Sequence, residues 1–318
     1  MPSVRVCPLQ EDLPFGARVS GVTHETLGDE AVRRQIREAF EDRGLIVFED
    51  IEPSGQMHLA LSAVIGPLKD HPVPSVERVN QDAMPGVIDM QYNPEDGGVV
   101  EVDGQRLASW IPWHFDHCYN NELNRAGVLR ALTIPPEGGL TRFVDGIELY
   151  KALSPGLRQR IEDRDILYTL NLAYADMRFG RPRHLQDISF RPGLTEVLAQ
   201  AKRQPRAVHP AVWTRASGEK VLHVSPWMSA GIEGQEDAEG DRLLEAVCQE
   251  IIAKANAYSH AWKPTDMLIW DNWRVLHSVS GADPRYPRRM QRTTISGDYG
   301  LGYFENNGVG DKILEMTV

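Results

Sequence analysis

The sequence predicts an α+β fold that is mainly β, in which short strands fold back on themselves as a barrel or jelly roll and helices flank them. Many short apolar runs are bounded by Gly and Pro, and stretches of helical periodicity precede and separate them. No internal repeat, low-complexity tract or clear linker interrupts the 318 residues. We therefore expect a single domain spanning residues 1–318.

The elements follow from these patterns in chain order. Apolar residues at helical spacing predict helices over 31–40 and about 54–64. A continuous apolar run over 45–48 predicts a buried strand between them. Further along the chain we expect strands at 140–144, 207–212, 220–224, 267–270 and 291–296, with helices at about 147–153, 155–162 and 237–257.

One long segment lacks such patterns. Residues 72–106 are rich in Pro, Gly, Asn and Asp, which predicts a long irregular stretch. Long loops in compact domains are usually functional or disordered. Because this segment leads directly towards His114, we expect it to act as a lid over the active site at about 72–106.

Composition restricts the partners and the compartment. The formal net charge of −11 argues against a general nucleic-acid-binding protein, although it does not exclude an anionic small molecule. The three cysteines have no close-spaced pair, which fits a reducing compartment. No signal peptide is evident and no run of 18 apolar residues occurs. We expect a cytoplasmic protein without nucleic-acid or membrane partners.

The tripeptide His114-Phe115-Asp116 carries the most specific chemistry. On a strand, alternate side chains share a face, so His114 and Asp116 would point the same way. An imidazole and a carboxylate are two thirds of a 2-His-1-carboxylate site for Fe(II). His277, which follows the predicted strand at 267–270, is the candidate for the third ligand.

An anion clamp follows shortly after His277. Arg288 and Arg292 lie 11 and 15 residues further on, and Arg292 falls within the strand predicted at 291–296. Residues 288, 290 and 292 of an extended segment share a face, so both guanidinium groups could enter one cavity. Arginine binds carboxylates in bidentate geometry, which suits an acidic ligand.

Taken together, these motifs resemble the taurine dioxygenase / 2,4-dichlorophenoxyacetate dioxygenase family of Fe(II)/2-oxoglutarate oxygenases. The order and spacing of the shared blocks are more specific than any one of them. The resemblance covers almost the whole chain, through the blocks 15–21, 44–48, 65–68, 113–116, 136–141, 270–277 and 288–297.

The resemblance implies a double-stranded β-helix (jelly-roll) core and a set of site residues. It implies His114, Asp116 and His277 as iron ligands. Thr141 and Arg288 would bind the cosubstrate 2-oxoglutarate. Substrate contacts are expected from Arg292 and His71, together with Trp110, one of the aromatic residues that precede the His-x-Asp motif. The family's usual Trp-Asp-Asn-Arg is replaced here by Trp270-Asp-Asn-Trp273.

The function that this resemblance implies is an Fe(II)- and 2-oxoglutarate-dependent dioxygenase. It would use O2 to oxidise, in the first place to hydroxylate, a small organic acid, with succinate and CO2 as coproducts. The carboxylate of Asp116 argues against halogenation. The same iron centre could instead catalyse desaturation, cyclisation or epimerisation in natural-product biosynthesis. Two further alternatives are a zinc hydrolase and a non-catalytic protein that binds a metal or a small acid. The resemblance is compatible with a homo-oligomer.

Several other residues have structural interpretations. His117 is expected on the Phe115 face of the strand, in a structural role. Trp110, Trp113 and Trp273 could be core aromatics as well as pocket residues. His209, His223 and Cys118 are expected to be packed side chains.

Overall fold

The computed structural model describes residues 4–71, 76–80, 83–201, 204–297 and 299–305. The helices are α1 (His24–Leu27), α2 (Glu30–Arg43), α3 (Gly55–Ile65), α4 (Gly146–Ala152), α5 (Pro155–Ile161), α6 (Leu194–Ala201) and α7 (Ala238–Lys254), with a 3-10 turn at Tyr174–Asp176. The first ten strands are β1 (Arg5–Pro8), β2 (Ala17–Ser20), β3 (Leu45–Phe48), β4 (Leu68–Lys69), β5 (Val87–Tyr92), β6 (Val99–Val102), β7 (Gln105–His114), β8 (Ala126–Thr133), β9 (Thr141–Asp145) and β10 (Asp165–Tyr168). The others are β11 (Leu185–Ser189), β12 (Ala207–Pro210), β13 (Val212–Thr214), β14 (Lys220–Leu222), β15 (Ser229–Ile232), β16 (Tyr258–His260), β17 (Met267–Asp271), β18 (Val275–Ala282), β19 (Arg288–Ile295) and β20 (Tyr303–Phe304).

Two sheets form the centre of the described chain. The larger sheet has the order β1-β2-β3-β17-β8-β19-β4, with β5 also paired to β19. The second sheet has the order β11-β6-β7-β18-β9-β16. The strands of both sheets pair antiparallel except for β2 and β3, which are parallel. A smaller sheet, β15-β10-β12-β20, lies outside these two.

The two central sheets share an apolar core. Leu268 and Trp270 of β17 pack in one cluster with Phe143 of β9 on the opposing sheet. The intervening Ile269 faces the other way, into a cluster with the apolar faces of α2 and α3. Because β17 is buried on both faces, its sequence is continuously apolar rather than alternating.

Helix α2 shows how the sequence connects a helix to this sheet. Val32, Ile36 and Phe40 are its buried stripe, as their spacing predicts. Gly44 ends the helix at φ +71°, a conformation that favours glycine. A side chain at Gly44 would also press on Arg274, so the residue suits both the turn and the packing. The chain then enters β3.

The sequence predictions of helices around 31–40, 54–64 and 237–257 and of strands at 45–48, 267–270 and 291–296 are confirmed to within a few residues. The irregular stretch predicted for 72–106 is wrong in its second half, since β5, β6 and the start of β7 lie within it. Strand β5 pairs with β19, and β6 pairs with β7. This pairing outweighs the local preference of a Pro- and Gly-rich composition for irregular structure. Residues 72–75 and 81–82 of this segment lie outside the described residues. Whether the segment acts as a lid stays a prediction.

No helix in the described part of the chain is long and apolar enough to cross a membrane.

Candidate metal centre

Three side chains of metal-binding type meet where β7 and β18 pair. His114 is the last residue of β7, and His277 lies directly opposite it on β18. Asp116 follows two residues after His114. One potential ligand atom from each residue lies within 4.8 Å of the others, and all three side chains are buried. Two imidazoles and one carboxylate are the donor set of an Fe(II) facial triad, so these residues could hold that ion.

Asp116 lies beyond the end of β7, so another residue has to position it. Asn272, which is completely buried, accepts a hydrogen bond from the Asp116 backbone N–H at 2.7 Å through Oδ1. Its Nδ2 donates to the Asp116 carbonyl at 3.1 Å and to Asn124 Oδ1 at 3.1 Å. Asn272 lies within the Trp270-Asp-Asn-Trp273 motif, but the sequence alone assigns it no role. Asn272 therefore fixes the backbone from which Asp116 projects.

The polar atoms of the cluster fit a bound cation. His114 Nδ1 lies 2.8 Å from the Pro112 carbonyl oxygen, so Nδ1 carries the proton and Nε2 keeps its lone pair. Asp116 Oδ2 and His277 Nδ1 are buried and have no hydrogen-bond partner among the described residues. Unpartnered buried polar atoms are costly in free energy, and a metal ion would compensate for the free oxygen of Asp116.

The surroundings set the protonation states that a metal ion needs. Burial alone would raise the pKa of the Asp116 carboxyl, but the Arg292 guanidinium and the neighbouring imidazoles hold that pKa below its ordinary value. Burial lowers the pKa of His114, and burial together with the nearby His114 lowers that of His277. At neutral pH the cluster therefore presents one carboxylate and two neutral imidazoles.

Arg292 lies against this cluster from the opposing sheet. Its Nη1 donates to Asp116 Oδ1 at 2.5 Å, a charge-assisted hydrogen bond between buried groups. Its Nε is buried without an acceptor in the described chain. Arg288, Met290 and Arg292 are all buried, and Met290 belongs to the core between the two sheets. The alternate residues of β19 thus point inwards, as strand geometry predicts.

Arg288 is a second buried cation, and it has no partner among the described residues. Its residue is only 9% exposed, and its side chain has no hydrogen bond or ion pair with any described residue. Burial lowers its pKa to about 10, so it remains charged at neutral pH. A Cβ atom added at Gly139 would lie 3.4 Å from Arg288 Nε, so the segment that leads into Thr141 runs beside this guanidinium. A buried charge without a counterion fits a site for an anionic ligand.

The loop histidine His71 reaches the same region through His117. Their rings meet edge to face, with centroids 5.0 Å apart. His117 is buried, and neither ring nitrogen has a hydrogen-bond partner among the described residues. Its φ of +59° lies in the left-handed region, which is uncommon for a non-glycine residue.

This backbone turn makes the expected placement of His117 on the Phe115 face wrong. The Phe115 ring stacks on His223, with centroids 3.8 Å apart, whereas His117 contacts His71. His223 Nε2 is hydrogen-bonded to the Asn272 carbonyl oxygen, in keeping with the structural role expected for this histidine.

Trp110 lies two aromatic rings away from His114. Its ring contacts Tyr174 with centroids 5.3 Å apart, Tyr174 contacts Trp227 at 5.5 Å, and Trp227 contacts His114 at 5.1 Å. The indole N–H of Trp227 is buried without an acceptor in the described residues. Trp227 is therefore the member of this series that contacts the cluster, and no sequence motif points to it. Trp113 and Trp273 are covered by arginine side chains and pack in or against the core.

The family model described as "Taurine catabolism dioxygenase TauD, TfdA family" matches residues 5–294. The chain belongs to this family. Its predicted class, an Fe(II)/2-oxoglutarate-dependent dioxygenase that acts on a small molecule with O2, is thereby confirmed, as are its cofactor and cosubstrate.

Two relatives and one solved structure extend the comparison. The chain is 26% identical to (S)-phenoxypropionate/alpha-ketoglutarate-dioxygenase of Sphingobium herbicidovorans, over 93% of this chain and 96% of the relative. It is 28% identical to alpha-ketoglutarate-dependent 2,4-dichlorophenoxyacetate dioxygenase of Cupriavidus pinatubonensis, over 89% and 95% of the two chains. The crystal structure of AAD-2 in complex with Mn(II) and N-oxalylglycine superposes with a TM-score of 0.67 at 22% identity, covering 93% of this chain and 98% of that one. The predicted fold, mainly β with a jelly-roll core, is confirmed.

Replacing Asn272 by Ala is expected to weaken metal binding, because the Asp116 backbone loses two hydrogen bonds. Outer-shell substitutions of this kind typically reduce metal affinity by about 10- to 100-fold. Titration of the metal-free protein with Mn(II), followed by calorimetry, measures the change. Asn93→Ala, at an exposed position, is the matched control and should bind like the wild type. Equal affinities of the two variants would contradict this role of Asn272.

Proposed function

We propose that His114, Asp116 and His277 hold the Fe(II) ion of this dioxygenase. The observation that carries the proposal is that these three buried side chains bring one ligand atom each within 4.8 Å of one another. Asp116 Oδ2, which has no hydrogen-bond partner among the described residues, supports it further. Three protein ligands leave positions on the ion for cosubstrate and oxygen.

Arg288 and Thr141 are the proposed ligands of 2-oxoglutarate. The Arg288 guanidinium is buried without a counterion among the described residues, which suits the distal carboxylate of the cosubstrate. The Thr141 hydroxyl is buried on β9, two residues beyond Gly139, which packs beside Arg288. The two residues would contribute a charge and a hydroxyl donor to the same carboxylate.

Within this assignment the chain's own task is to ligate, orient and exclude water. When bound, Fe(II) with 2-oxoglutarate supplies the activation of O2, and succinate and CO2 are the coproducts. Asp116 provides the anionic ligand, and Arg292 holds that carboxylate in place through Nη1. Asn272 fixes its backbone. Burial of the whole group keeps bulk water from the reacting centre.

The proposed substrate is a small organic acid with an aromatic or apolar body, which is hydroxylated. Two relatives are named for phenoxypropionate and 2,4-dichlorophenoxyacetate, both aryloxy acids. Formal charge supports an acid: Asp116 against Arg288 and Arg292 leaves one positive charge, and Fe(II) and 2-oxoglutarate cancel each other. A singly charged anion would neutralise the site.

His71, Arg292 and Trp110 are the proposed substrate contacts. His71 contacts His117, the residue after Asp116, and the buried Nε of Arg292 has no acceptor among the described residues. Trp110 would contact the substrate from the far end of the aromatic series that runs through Tyr174 to Trp227.

The chain is proposed to act as one domain whose segment 72–106 covers the site. The contacts at its start support this: Arg78 donates to the Asp70 carboxylate at 3.0 Å and to the His71 carbonyl at 3.1 Å. These bonds tie the segment to the histidine that lies near the metal cluster.

The metal assignment is tested on anaerobic protein loaded with Fe(II) and 2-oxoglutarate. We expect a weak visible charge-transfer band, and slow release of succinate after air is admitted. His114→Ala should lose the band, because one of the three ligands is gone. His184→Ala, at an exposed position, should retain it. A His114→Ala variant that binds metal as tightly as the wild type would overturn the assignment.

Adjacent arginines test the cosubstrate assignment. Arg288→Gln is expected to raise the KM for 2-oxoglutarate about 100-fold, because a buried bidentate partner of its carboxylate is lost. Arg289→Gln is the matched control, since Arg289 bonds Asp89 on the outer face of β19. Its KM should change less than about twofold. Initial rates of succinate release at varied 2-oxoglutarate concentration measure both, and similar KM values for the two variants would refute the role of Arg288.

A substrate panel separates hydroxylation from desaturation, cyclisation or epimerisation. Aryloxy acids, sulfonates, amino acids and natural-product acids are scored by oxygen uptake, and products are identified by mass spectrometry. We expect an aryloxy or related aromatic acid to stimulate uptake and to gain one oxygen atom. A product that has lost two hydrogens, or has the mass of its substrate, would favour the alternative reactions instead. Stimulation by neutral compounds alone would contradict an acidic substrate.

A further inference from the structure

We propose that Trp262 is a positioning residue for 2-oxoglutarate, which acts by fixing the direction in which the Thr141 hydroxyl donates its proton. The inference deepens the proposed function and rests on the assignment of Thr141 to the cosubstrate. It gives a role to a tryptophan that none of the sequence motifs for metal or cosubstrate binding contains.

The central contact is a hydrogen bond between two buried side chains. Trp262 Nε1 lies 2.9 Å from Thr141 Oγ1. An indole nitrogen only donates, whereas a hydroxyl has one proton and two lone pairs. The direction of this bond is therefore fixed: Trp262 donates and Thr141 accepts.

The bond leaves the hydroxyl proton of Thr141 available. No described residue accepts a hydrogen bond from Thr141 Oγ1. With one lone pair engaged by the indole, the hydroxyl is turned so that its proton points away from Trp262. A carboxylate is the natural acceptor for such a proton, and it would find the donor already oriented.

A shell of buried groups holds the indole in this position. Strand β16 pairs with β9 so that His260 lies opposite Thr141. The His260 ring meets Trp262 edge to face, with centroids 4.6 Å apart. His260 is itself hydrogen-bonded to the Tyr258 hydroxyl at 3.0 Å, and its Nε2 lies 3.3 Å from Asp266 Oδ2. Asp266 accepts from the Lys263 backbone N–H at 3.1 Å, which closes the turn after Trp262.

A purely structural role makes a different prediction. Trp262 belongs to the apolar core between the two sheets, so its replacement could lower stability without any selective effect on a ligand. Orientation of Thr141 predicts a loss confined to the cosubstrate, and a loss that disappears when Thr141 has no hydroxyl. A double-mutant cycle separates the two roles.

The experiment uses the full-length protein with Mn(II) and N-oxalylglycine, an unreactive analogue of 2-oxoglutarate, followed by calorimetry. Trp262→Phe keeps an aromatic ring and removes the N–H. We expect the Kd for N-oxalylglycine to rise about five- to tenfold, the size of one ordinary hydrogen bond, because the Thr141 hydroxyl is no longer held in its donating direction. The Kd for Mn(II) alone should not change. In turnover, the KM for 2-oxoglutarate should rise by the same factor while the rate at saturating 2-oxoglutarate is retained.

Trp213→Phe is the matched control. Trp213 also donates from its indole nitrogen, at 2.8 Å to the Trp273 carbonyl, so the same substitution removes a comparable bond elsewhere. Its affinity for N-oxalylglycine should equal that of the wild type. An equal loss of affinity in both variants would overturn the proposal.

The cycle is completed with Thr141→Val, alone and with Trp262→Phe. We expect Thr141→Val to weaken N-oxalylglycine binding and Trp262→Phe to add nothing to it. If Thr141→Val weakens binding but Trp262→Phe does not, or if Trp262→Phe has the same effect in both backgrounds, the inference about Trp262 fails alone. If Thr141→Val binds like the wild type, the assignment of Thr141 fails with it, whereas Arg288→Gln still tests the rest of the cosubstrate site.

Thr141→Ser gives a second test, should Trp262→Phe not fold. It keeps the hydroxyl but loses the methyl group that stiffens the side chain. Because Trp262 still directs the hydroxyl, affinity for N-oxalylglycine should stay within about twofold of the wild type. A loss as large as that of Thr141→Val would overturn the proposal.

Discussion

The register between β7 and β18 is the constraint on which the site depends. It sets His114 opposite His277, and the pairing of β18 with β9 sets Thr141 opposite Val279, two residues further along. A slip of one residue would turn His277 to the other face of the sheet. The core holds this register: the Trp270 ring from the opposing sheet lies 5.1 Å from the His277 ring and 5.9 Å from that of Phe143. The packing between the two sheets therefore also fixes the geometry of the cluster.

The opposing sheet supplies the positive charge. Arg288 and Arg292 enter from the inward face of β19, while the His-x-Asp motif and His277 belong to the six-stranded sheet and its end. This division separates the groups proposed to bind the metal from those proposed to bind anions. The two sheets also depend on each other at this point, since the carboxylate of Asp116 and the guanidinium of Arg292 meet only when the sheets pack together.

Sequence reasoning found the parts of this site that depend on residue type and strand period. His114, Asp116 and His277 follow from the chemistry of the donor set, and the shared face of Arg288 and Arg292 follows from the period of two. The buried strands β3 and β17 follow from their continuous apolar runs. These features are local, or they are carried by a motif whose order along the chain is specific.

The parts that could not be predicted depend on contacts between remote segments. Asn272 reaches the Asp116 backbone across 156 residues, and Trp262 reaches Thr141 across 121. Neither side chain has a local pattern that indicates its partner. The placement of His117 fails for a local reason, because a left-handed backbone turn ends the strand alternation on which it was based. The prediction of an irregular stretch misses the strands within 72–106, because their pairing with β19 and β7 outweighs a Pro- and Gly-rich composition.

The two buried arginines differ in a way that has a functional meaning. Arg292 has a counterion in Asp116, and it engages Oδ1 while Oδ2 remains without a partner. This pair keeps the carboxylate charged and in place without occupying both of its oxygens. Arg288 has no counterion in the described chain, and burying a lone guanidinium costs stability. A protein that kept such a group for folding alone would gain by replacing it with an apolar residue. An anionic ligand would offset this cost. Arg288 would thus destabilise the protein without cosubstrate, and binding of the cosubstrate would restore that stability.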